Sequence, residues 1–159
     1  MTMYLRAVAL FVASTLLSSP ALSGTVYADR LEFFDPAPIT APQELNQVEV
    51  LTVAAKAFAM RSWRITEINR TAGYVDAELP IRAHVARLRI ATQNGTFDFE
   101  YRQSENIPHG WMREGDEWAS IAPENEGDRE AAHRNYVAWV DEVHRTVGSL
   151  LHVHSLSAN

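Results

Sequence analysis

Hydrophobic positions along the chain recur at two different intervals, and these intervals predict where helices and strands lie. From Thr40 to Arg61 apolar residues recur every three or four positions, which is typical of a helix with a wide buried face. Thr40 and Gln43 have the spacing of a capping box, and Pro42 suits a first turn. We therefore expect the first helix to begin near Thr40.

From Trp63 onward the hydrophobic interval becomes two, which is typical of half-buried strands. Turn-forming residues divide this part of the chain into four predicted strands, 63–69, 74–79, 84–92 and 96–103. The Asn94-Gly95 pair predicts a two-residue type I′ turn, which fixes the register of the last two strands. In that register one face of the hairpin is apolar and the other charged, as a sheet with one buried side requires. The predicted cross-strand pairs are Gln93 with Thr96, Ala91 with Asp98, Arg89 with Glu100, Ile90 with Phe99, and Leu88 with Tyr101.

The charged face of this sheet carries arginines on its third strand and acids on the strands beside it. We interpret them as surface ion pairs, worth about 0.2–1 kcal/mol each, in preference to a substrate site. The residues are Arg87 and Arg89, with Asp76 and Glu78 on one side and Asp98 and Glu100 on the other.

A second amphipathic helix is predicted after Gly127, with Asp128 as its N-cap and an apolar stripe from Tyr136 to Leu151. Two helices that cover one face of four antiparallel strands make a two-layer sandwich. The predicted fold class is therefore α+β, with a four-stranded meander between an N-terminal and a C-terminal helix.

The two ends of the chain are predicted to lie outside this sandwich. Residues 1–23 have the pattern of a secretory signal peptide, with a positive charge, a short apolar run and small residues in order. The run is shorter than the roughly 20 residues of a membrane-spanning helix, so we favour a signal over an anchor and expect no transmembrane segment in the mature chain. We expect an extended arm over 24–41, one domain over 42–152 and a flexible tail over 153–159, in a periplasmic or secreted protein.

Composition narrows the classes of function. The chain has 159 residues, a formal net charge of −6 and no cysteine. An acidic chain offers no positive field to a phosphate backbone, so nucleic acid is not an expected partner. The lack of cysteine excludes disulfides, thiolate catalysis and cysteine-ligated metals. No established catalytic motif is present, and we expect no cofactor.

The segment 104–127 shows no clear periodicity, which is unusual inside a compact domain. It carries His109, Trp111 and Trp118 among acids and glycines. One interpretation is a lid or binding loop that uses these aromatic side chains. The other, which we favour because exposed tryptophan is costly, is a plug that closes the open end of the sandwich.

Polar side chains from two distant parts of the chain are predicted to meet at one end of the sandwich. Ser104 and Asn106 leave the last strand, while His133 and Asn135 lie in the first turns of the last helix. They form either a structural clasp, which we favour, or a shallow polar cleft for a ligand with His133 as its titratable group. The candidate binding residues are Tyr101, Ser104, Asn106, His109, Trp111, Trp118, His133, Asn135 and Tyr136, and none is assigned a catalytic role.

Two motifs carry a resemblance to a known group of proteins. They are Tyr-x-x-Ser-x-Asn-Ile from Tyr101 and His-x-Asn-Tyr-x-x-Trp-Val from His133. With these motifs, residues 45–151 resemble a group of small bacterial envelope proteins, periplasmic or lipoprotein-like. The resemblance implies an envelope location and this fold, and it implies no reaction. This chain lacks the cysteine to which such lipoproteins attach their lipid.

We therefore expect a non-catalytic binding or scaffold module of the bacterial cell envelope. Its expected partner is another envelope protein or a peptide or saccharide ligand. The alternative class is a small hydrolase or metal-dependent enzyme that uses His133, His109 or the terminal pair His152 and His154. Because a His-x-His at the end of a chain lacks a fixed third ligand, no metal site is assigned.

Overall fold

The computed structural model describes residues 25–157, so the predicted signal peptide at 1–23 lies outside the described residues. The described part is an α+β structure with two helices and two antiparallel five-stranded sheets. The helices are α1 (Gln47–Met60) and α2 (Arg134–Ser157), and a short 3-10 turn, η1, spans Ala28–Arg30. The strands are β1 (Thr25–Tyr27), β2 (Leu31–Phe33), β3 (Ile39–Thr40), β4 (Arg64–Asn69), β5 (Tyr74–Ile81), β6 (His84–Gln93), β7 (Thr96–Glu105), β8 (His109–Met112), β9 (Trp118–Ser120) and β10 (Arg129–His133).

The four predicted strands exist as β4 to β7, and with β3 they form one sheet in the order β3-β7-β6-β5-β4, here called the meander sheet. All five predicted pairs between β6 and β7 are observed. Asn94 and Gly95 have φ angles of 52° and 73°, the positive values that a type I′ turn requires. Leu88, Ile90 and Phe99 are buried against the helices, as the predicted apolar face requires.

The charged face of the meander sheet also has the predicted neighbours. Arg89 forms a two-pronged ion pair with Asp76, at 2.7 and 2.8 Å, and its guanidinium lies 3.5 Å from the centre of the Tyr74 ring. Glu78 is paired with Arg87 and Arg64, and the hydrogen bond from Arg64 is the largest cause that lowers the pKa of this carboxyl.

Helix α1 begins later than predicted. Its N-cap is Asn46, whose side chain accepts from the backbone N–H groups of Val48 and Glu49, while the Glu49 carboxylate accepts from the Asn46 N–H at 2.9 Å. Thr40 instead ends β3, opposite Thr96. The prediction was wrong because Thr40, the residue expected to cap the helix, pairs with a strand of the meander sheet. The capping box that the helix uses is formed by Asn46 and Glu49.

A single four-stranded meander was also wrong as a description of the whole fold, because a second sheet is present in the order β1-β9-β8-β10-β2. The predicted arm over 24–41 supplies β1 and β2 to this second sheet and β3 to the meander sheet. The segment 104–127, predicted to lack regular structure, supplies β8 and β9. Each of these strands is short. β8 and β9 pair with each other at Trp111 and Ser120, and the other pairings join separate parts of the chain.

The start of the last helix was likewise placed too early. Residues 129–133 form β10, which pairs with β2 on one side and β8 on the other, so sheet partners satisfy the backbone groups that a helix would otherwise use. Asp128 stabilises the loop before β10 and does not cap the helix. Its carboxylate accepts from the N–H groups of Glu124 and Asn125, and these hydrogen bonds lower the pKa of the carboxyl. Helix α2 begins at Arg134 and continues to Ser157, into the segment assigned to a tail.

The buried residues form two clusters of unequal size. The larger lies between the meander sheet and both helices, with Phe58, Phe97 and Tyr136 among its largest fully buried side chains. The smaller belongs to the second sheet and consists of Leu31, Met112, Ala119 and Ala131. Within residues 25–157, no helix is both long and apolar enough to cross a membrane.

A candidate ligand cleft at the start of helix α2

An open cleft of about 390 Å³, here called the histidine cleft, lies where η1, the start of β6, the connection from β7 to β8 and the start of α2 meet. Three of the predicted site residues, Asn106, His133 and Asn135, line it together. The remaining lining residues are Arg30, His84, Ile107, Pro108 and Trp139. No lining residue is acidic, although the whole chain has a net charge of −6.

Asn106 ties two loops together at the cleft. Its φ of 56° lies in the left-handed region, which asparagine tolerates better than most residues. Its side-chain amide donates to the Ala83 carbonyl at 2.6 Å, and its own carbonyl lies 2.7 Å from Nδ1 of His84. Because a carbonyl can only accept, Nδ1 of His84 carries the proton, and Nε2 of the neutral ring is left as an acceptor.

His133 ends β10 and presents the opposite tautomer. Its backbone N–H donates to the Pro108 carbonyl at 2.9 Å, and its Nδ1 accepts from the Asn135 N–H at 3.2 Å. The neutral ring therefore carries its proton on Nε2.

The surroundings of His133 favour its neutral form. Burial is the largest cause that lowers its pKa, followed by the positive charges of Arg134 and Arg30 and by His84 when that ring is protonated, while Glu32 acts in the opposite direction. Before any ligand binds, the cleft therefore contains a histidine that resists protonation beside an exposed arginine.

Asn135 and Trp139 stand four residues apart on α2, so they share one face of the helix. The indole is partly buried and the amide side chain is exposed. Arg30 is also exposed and forms no ion pair within the described part of the chain. The cleft thus combines one aromatic wall with several hydrogen-bonding groups that have no partner of opposite charge.

Three other predicted residues form an aromatic clasp behind the cleft. The rings of Tyr101 and His109 stack at 3.8 Å with an interplanar angle of 7°, and Nε2 of His109 lies 2.8 Å from the Glu130 carboxylate. Tyr136 is fully buried against Tyr101, and its hydroxyl donates to the Arg87 carbonyl at 2.8 Å. Burial raises the pKa of Tyr136 well above its ordinary value. Of the four polar residues predicted to meet as a clasp or a cleft, Asn106, His133 and Asn135 line the histidine cleft together, and Ser104 is not among its lining residues.

Ser104 contacts the aromatic clasp through its backbone N–H, which donates to the Tyr101 hydroxyl at 3.3 Å. Its Oγ accepts from the Arg87 N–H and donates to the Arg102 carbonyl, both at 2.9 Å. No described hydrogen bond joins it to His133 or His109. The serine therefore holds the irregular end of the hairpin between β6 and β7, where the register shifts.

The two predicted tryptophans lie elsewhere, on the second sheet. Trp111 and Trp118 line a separate cleft of about 310 Å³ with several acidic residues. Trp118 is 54% exposed and packs edge to face against Tyr27 at 4.8 Å. Because it is exposed and held in a strand, it does not plug the end of the meander sheet.

The terminal histidines stand on α2 at His152 and His154, two positions apart. Side chains two positions apart on a helix leave it on different faces, so they do not converge on one ion. Among residues 25–157, no group of three or more His, Asp or Glu side chains is placed to hold a metal ion.

No known protein family, curated protein sequence or solved structure matches this chain. The envelope resemblance of the motifs from Tyr101 and His133 therefore stays a prediction. Function has to be inferred from the geometry and chemistry of the described residues.

Five lining residues of the cleft are absent from the predicted site, namely Arg30, His84, Ile107, Pro108 and Trp139. Arg30 lies in the segment taken for an arm, and no local signal indicates that this segment returns to the start of α2. Trp139 could have been found, because it stands four residues after Asn135 on the same predicted helix. His84 could have been found only by knowing that Asn106 folds back onto its strand.

Proposed function

We propose that this chain is a non-catalytic binding module of the bacterial cell envelope, and that the histidine cleft binds a small anionic ligand such as the carboxylate of a peptide or a sugar acid. The observation that carries the proposal is the composition of the cleft wall. One arginine, two histidines and two asparagines line it without any acid, in a chain that is acidic as a whole.

The hydrogen-bonding groups of the cleft suit a carboxylate. The Arg30 guanidinium and the Nε2–H of His133 are donors, and the Asn135 amide adds another. A bound anion also favours the charged form of His133, because an opposite charge nearby raises the pKa of an imidazole. Binding is therefore expected to be coupled to proton uptake and to strengthen as the pH falls.

The apolar part of the wall suits the body of such a ligand. Trp139, Ile107 and Pro108 provide an aromatic and aliphatic surface beside the polar groups. The volume of about 390 Å³ falls at the lower end of the range of about 300–1,000 Å³ for small-molecule sites. This size favours a ligand of one ring or of one or two amino-acid residues.

The bonding of the nearby hydroxyls supports binding without catalysis. Both the Ser104 and Tyr136 hydroxyls are engaged with backbone groups, and the His109 ring is held between Tyr101 and Glu130. A nucleophilic mechanism needs a hydroxyl within hydrogen-bond reach of a base. These two hydroxyls are instead hydrogen-bonded to the backbone.

A binding panel tests the proposal. The full chain is titrated with benzoate, glucuronate, glucose and benzylamine, and the midpoint of thermal unfolding is measured, since a ligand that binds only the folded state raises it. We expect benzoate or glucuronate to raise the midpoint and to shift the ring resonances of His133 and His84. Glucose and benzylamine are expected to have little effect.

Matched variants separate the cleft from general charge effects. Arg30→Gln and His133→Gln should each weaken binding of the anion by about tenfold, since one charged hydrogen bond contributes about 1.5–3 kcal/mol. Arg102→Gln and His152→Gln remove the same residue types from exposed positions outside the cleft and should leave binding of the anion unchanged. Equal binding by Arg30→Gln and the wild type, or a response to glucose alone, would contradict an anion site.

A further inference from the structure

A further open groove, here called the edge groove, lies between α1 and β4, at the β4 edge of the meander sheet. It has a volume of about 320 Å³ and a mostly apolar wall that includes Val48, Ala55, Ile65 and Ile68. Val48 is 56% exposed and Ile68 is 46% exposed, so two branched apolar side chains of this wall face solvent. Within residues 25–157, nothing covers them.

A β-bulge in β4 builds the floor of the groove. Ile65 pairs with Ala77 and Ile68 pairs with Val75, while Thr66 is the extra residue between these two pairings. Ala77 and Val75 both point into the core. The bulge therefore places Ile65 and Ile68 on the same face as the helices, although regular alternation would put them on opposite faces.

The strand beside this floor has a free edge. β4 is the last strand of the meander sheet, and only β5 pairs with it in the described structure. The backbone N–H and C=O groups on its outer side are therefore open to a further strand. An extended segment that adds there would place every second side chain over the apolar floor.

The rim of the groove carries two cations. They are Lys56, the only lysine in the chain, and Arg70, and both are exposed. Neither forms an ion pair within the described residues, and no acid lines the groove. An apolar floor with a positive rim is complementary to an apolar segment that carries negative charge.

We propose that the edge groove binds an extended segment of a partner protein, added as a strand to β4, with apolar residues at alternate positions and an acidic residue near one end. The free edge supplies backbone hydrogen bonds, the floor takes the apolar side chains, and Lys56 and Arg70 pair with the acid. This proposal is independent of the histidine cleft.

A second copy of this chain fits the groove less well. Two-fold pairing of β4 with itself would bring Lys56 and Arg70 of both copies to one interface, and the groove offers no acid to neutralise them.

A peptide titration of the full chain tests the proposal. The probe is a peptide of alternating Val and Thr, about eight residues long to match a typical strand, with two Glu at one end, and its control has Lys in place of both Glu. We expect the acidic peptide to bind, to shift the Ile65 and Ile68 methyl resonances and to protect amides of β4 from hydrogen exchange. The basic peptide should bind at least about tenfold more weakly.

Charge and surface variants complete the test. Ile68→Glu should weaken binding of the acidic peptide by about tenfold or more, because it removes apolar contact from the floor. Ile121→Glu is the matched control, since Ile121 is an exposed apolar residue outside the groove. Lys56→Glu combined with Arg70→Glu should reverse the preference between the two peptides.

Two results would overturn the proposal. One is equal binding of both peptides to the wild type and to the doubly charge-reversed chain. The other is a dimer of the wild type, measured by sedimentation, that Ile68→Glu dissociates, because the groove would then hold a second copy.

Discussion

The two sheets contain the same number of strands, yet they are assembled in opposite ways. In the meander sheet, β4 to β7 follow one another along the chain, and each pairs with the next across a short turn. In the second sheet the strands come from three separate segments, 25–33, 109–120 and 129–133. Only the first kind of sheet has its register encoded locally, because a turn such as Asn94-Gly95 brings its own partners together.

The two sheets also differ in what stabilises them. The meander sheet buries large side chains such as Leu88, Ile90 and Phe97 against two helices. The buried cluster of the second sheet has two alanines among its four members. Since the stabilisation scales with the apolar area removed from water, we expect the second sheet to be the less stable of the two.

A pair of truncations tests this difference and has the largest expected effect. Ile90→Ala should lower the free energy of unfolding by about 3–5 kcal/mol, and Met112→Ala by about 2 kcal/mol, because the methionine lies in the smaller and less enclosed cluster. Urea unfolding of both variants measures the two changes. An equal loss would show that the second sheet is packed as tightly as the first.

A pair of glycine substitutions sharpens the comparison at the backbone. A Cβ at Gly110 in β8 would meet the Ser120 carbonyl oxygen at 2.7 Å and the Ala119 Cβ at 2.8 Å, so Gly110→Ala should destabilise by about 2–3 kcal/mol through forced separation of β8 and β9.

Gly95→Ala is the matched change in the meander sheet. No atom lies within 4 Å of an added Cβ, and only the φ of +73° opposes the substitution. We therefore expect Gly95→Ala to lower the free energy of unfolding by about 1 kcal/mol. Thermal unfolding of the two variants measures both effects, and the reverse order would mean that β8 and β9 do not approach as closely as described.

The smallest expected effect concerns His133, at the junction between the second sheet and α2. It is a change in how the free energy of unfolding depends on pH. Burial lowers the pKa of His133 in the folded chain below its ordinary value of 6.5. As the pH falls through 6.5, the unfolded chain takes up this proton before the folded chain, so the free energy of unfolding declines towards the folded pKa. The stabilisation by the neutral ring is fully present above that range.

His133→Gln removes this titration. Its free energy of unfolding should change less than that of the wild type between pH values of about 7.5 and about 5.5, and denaturant unfolding at both pH values measures the difference. His152→Gln, at an exposed helical position, is the control and should keep the wild-type slope. An unchanged slope in His133→Gln would mean that burial does not affect this ring.

The second sheet could not be predicted from local sequence because its strands are short and their partners distant. Residues 129–133 read Arg-Glu-Ala-Ala-His, a sequence with good helix propensity that lies directly before a helix. They form a strand because β2 and β8 flank them on both sides. The N-terminus of α1 is a different case, because its capping residues, Asn46 and Glu49, are local in the sequence and follow closely after Thr40.

The residues of the candidate site also divide into those indicated by local sequence and those brought in from a distant segment. Asn106, His133 and Asn135 were predicted because they occur in two compact motifs that leave one strand and begin one helix. Arg30 reaches the cleft from η1, between two strands of the second sheet, so no pattern near it in the chain reveals its role. The cleft lies where the two sheets meet, which is why only three of its eight lining residues were predicted from the sequence.

The titration of the His133 ring tests whether this junction binds an anion. The pKa of the His133 ring is measured by NMR in the full chain, alone and with saturating glucuronate or benzoate. We expect the anion to raise that pKa, because it places a negative charge beside a ring whose present neighbours include Arg30 and Arg134. An unchanged or lowered pKa at saturation would contradict the account, since an anion in the histidine cleft cannot leave this ring unaffected.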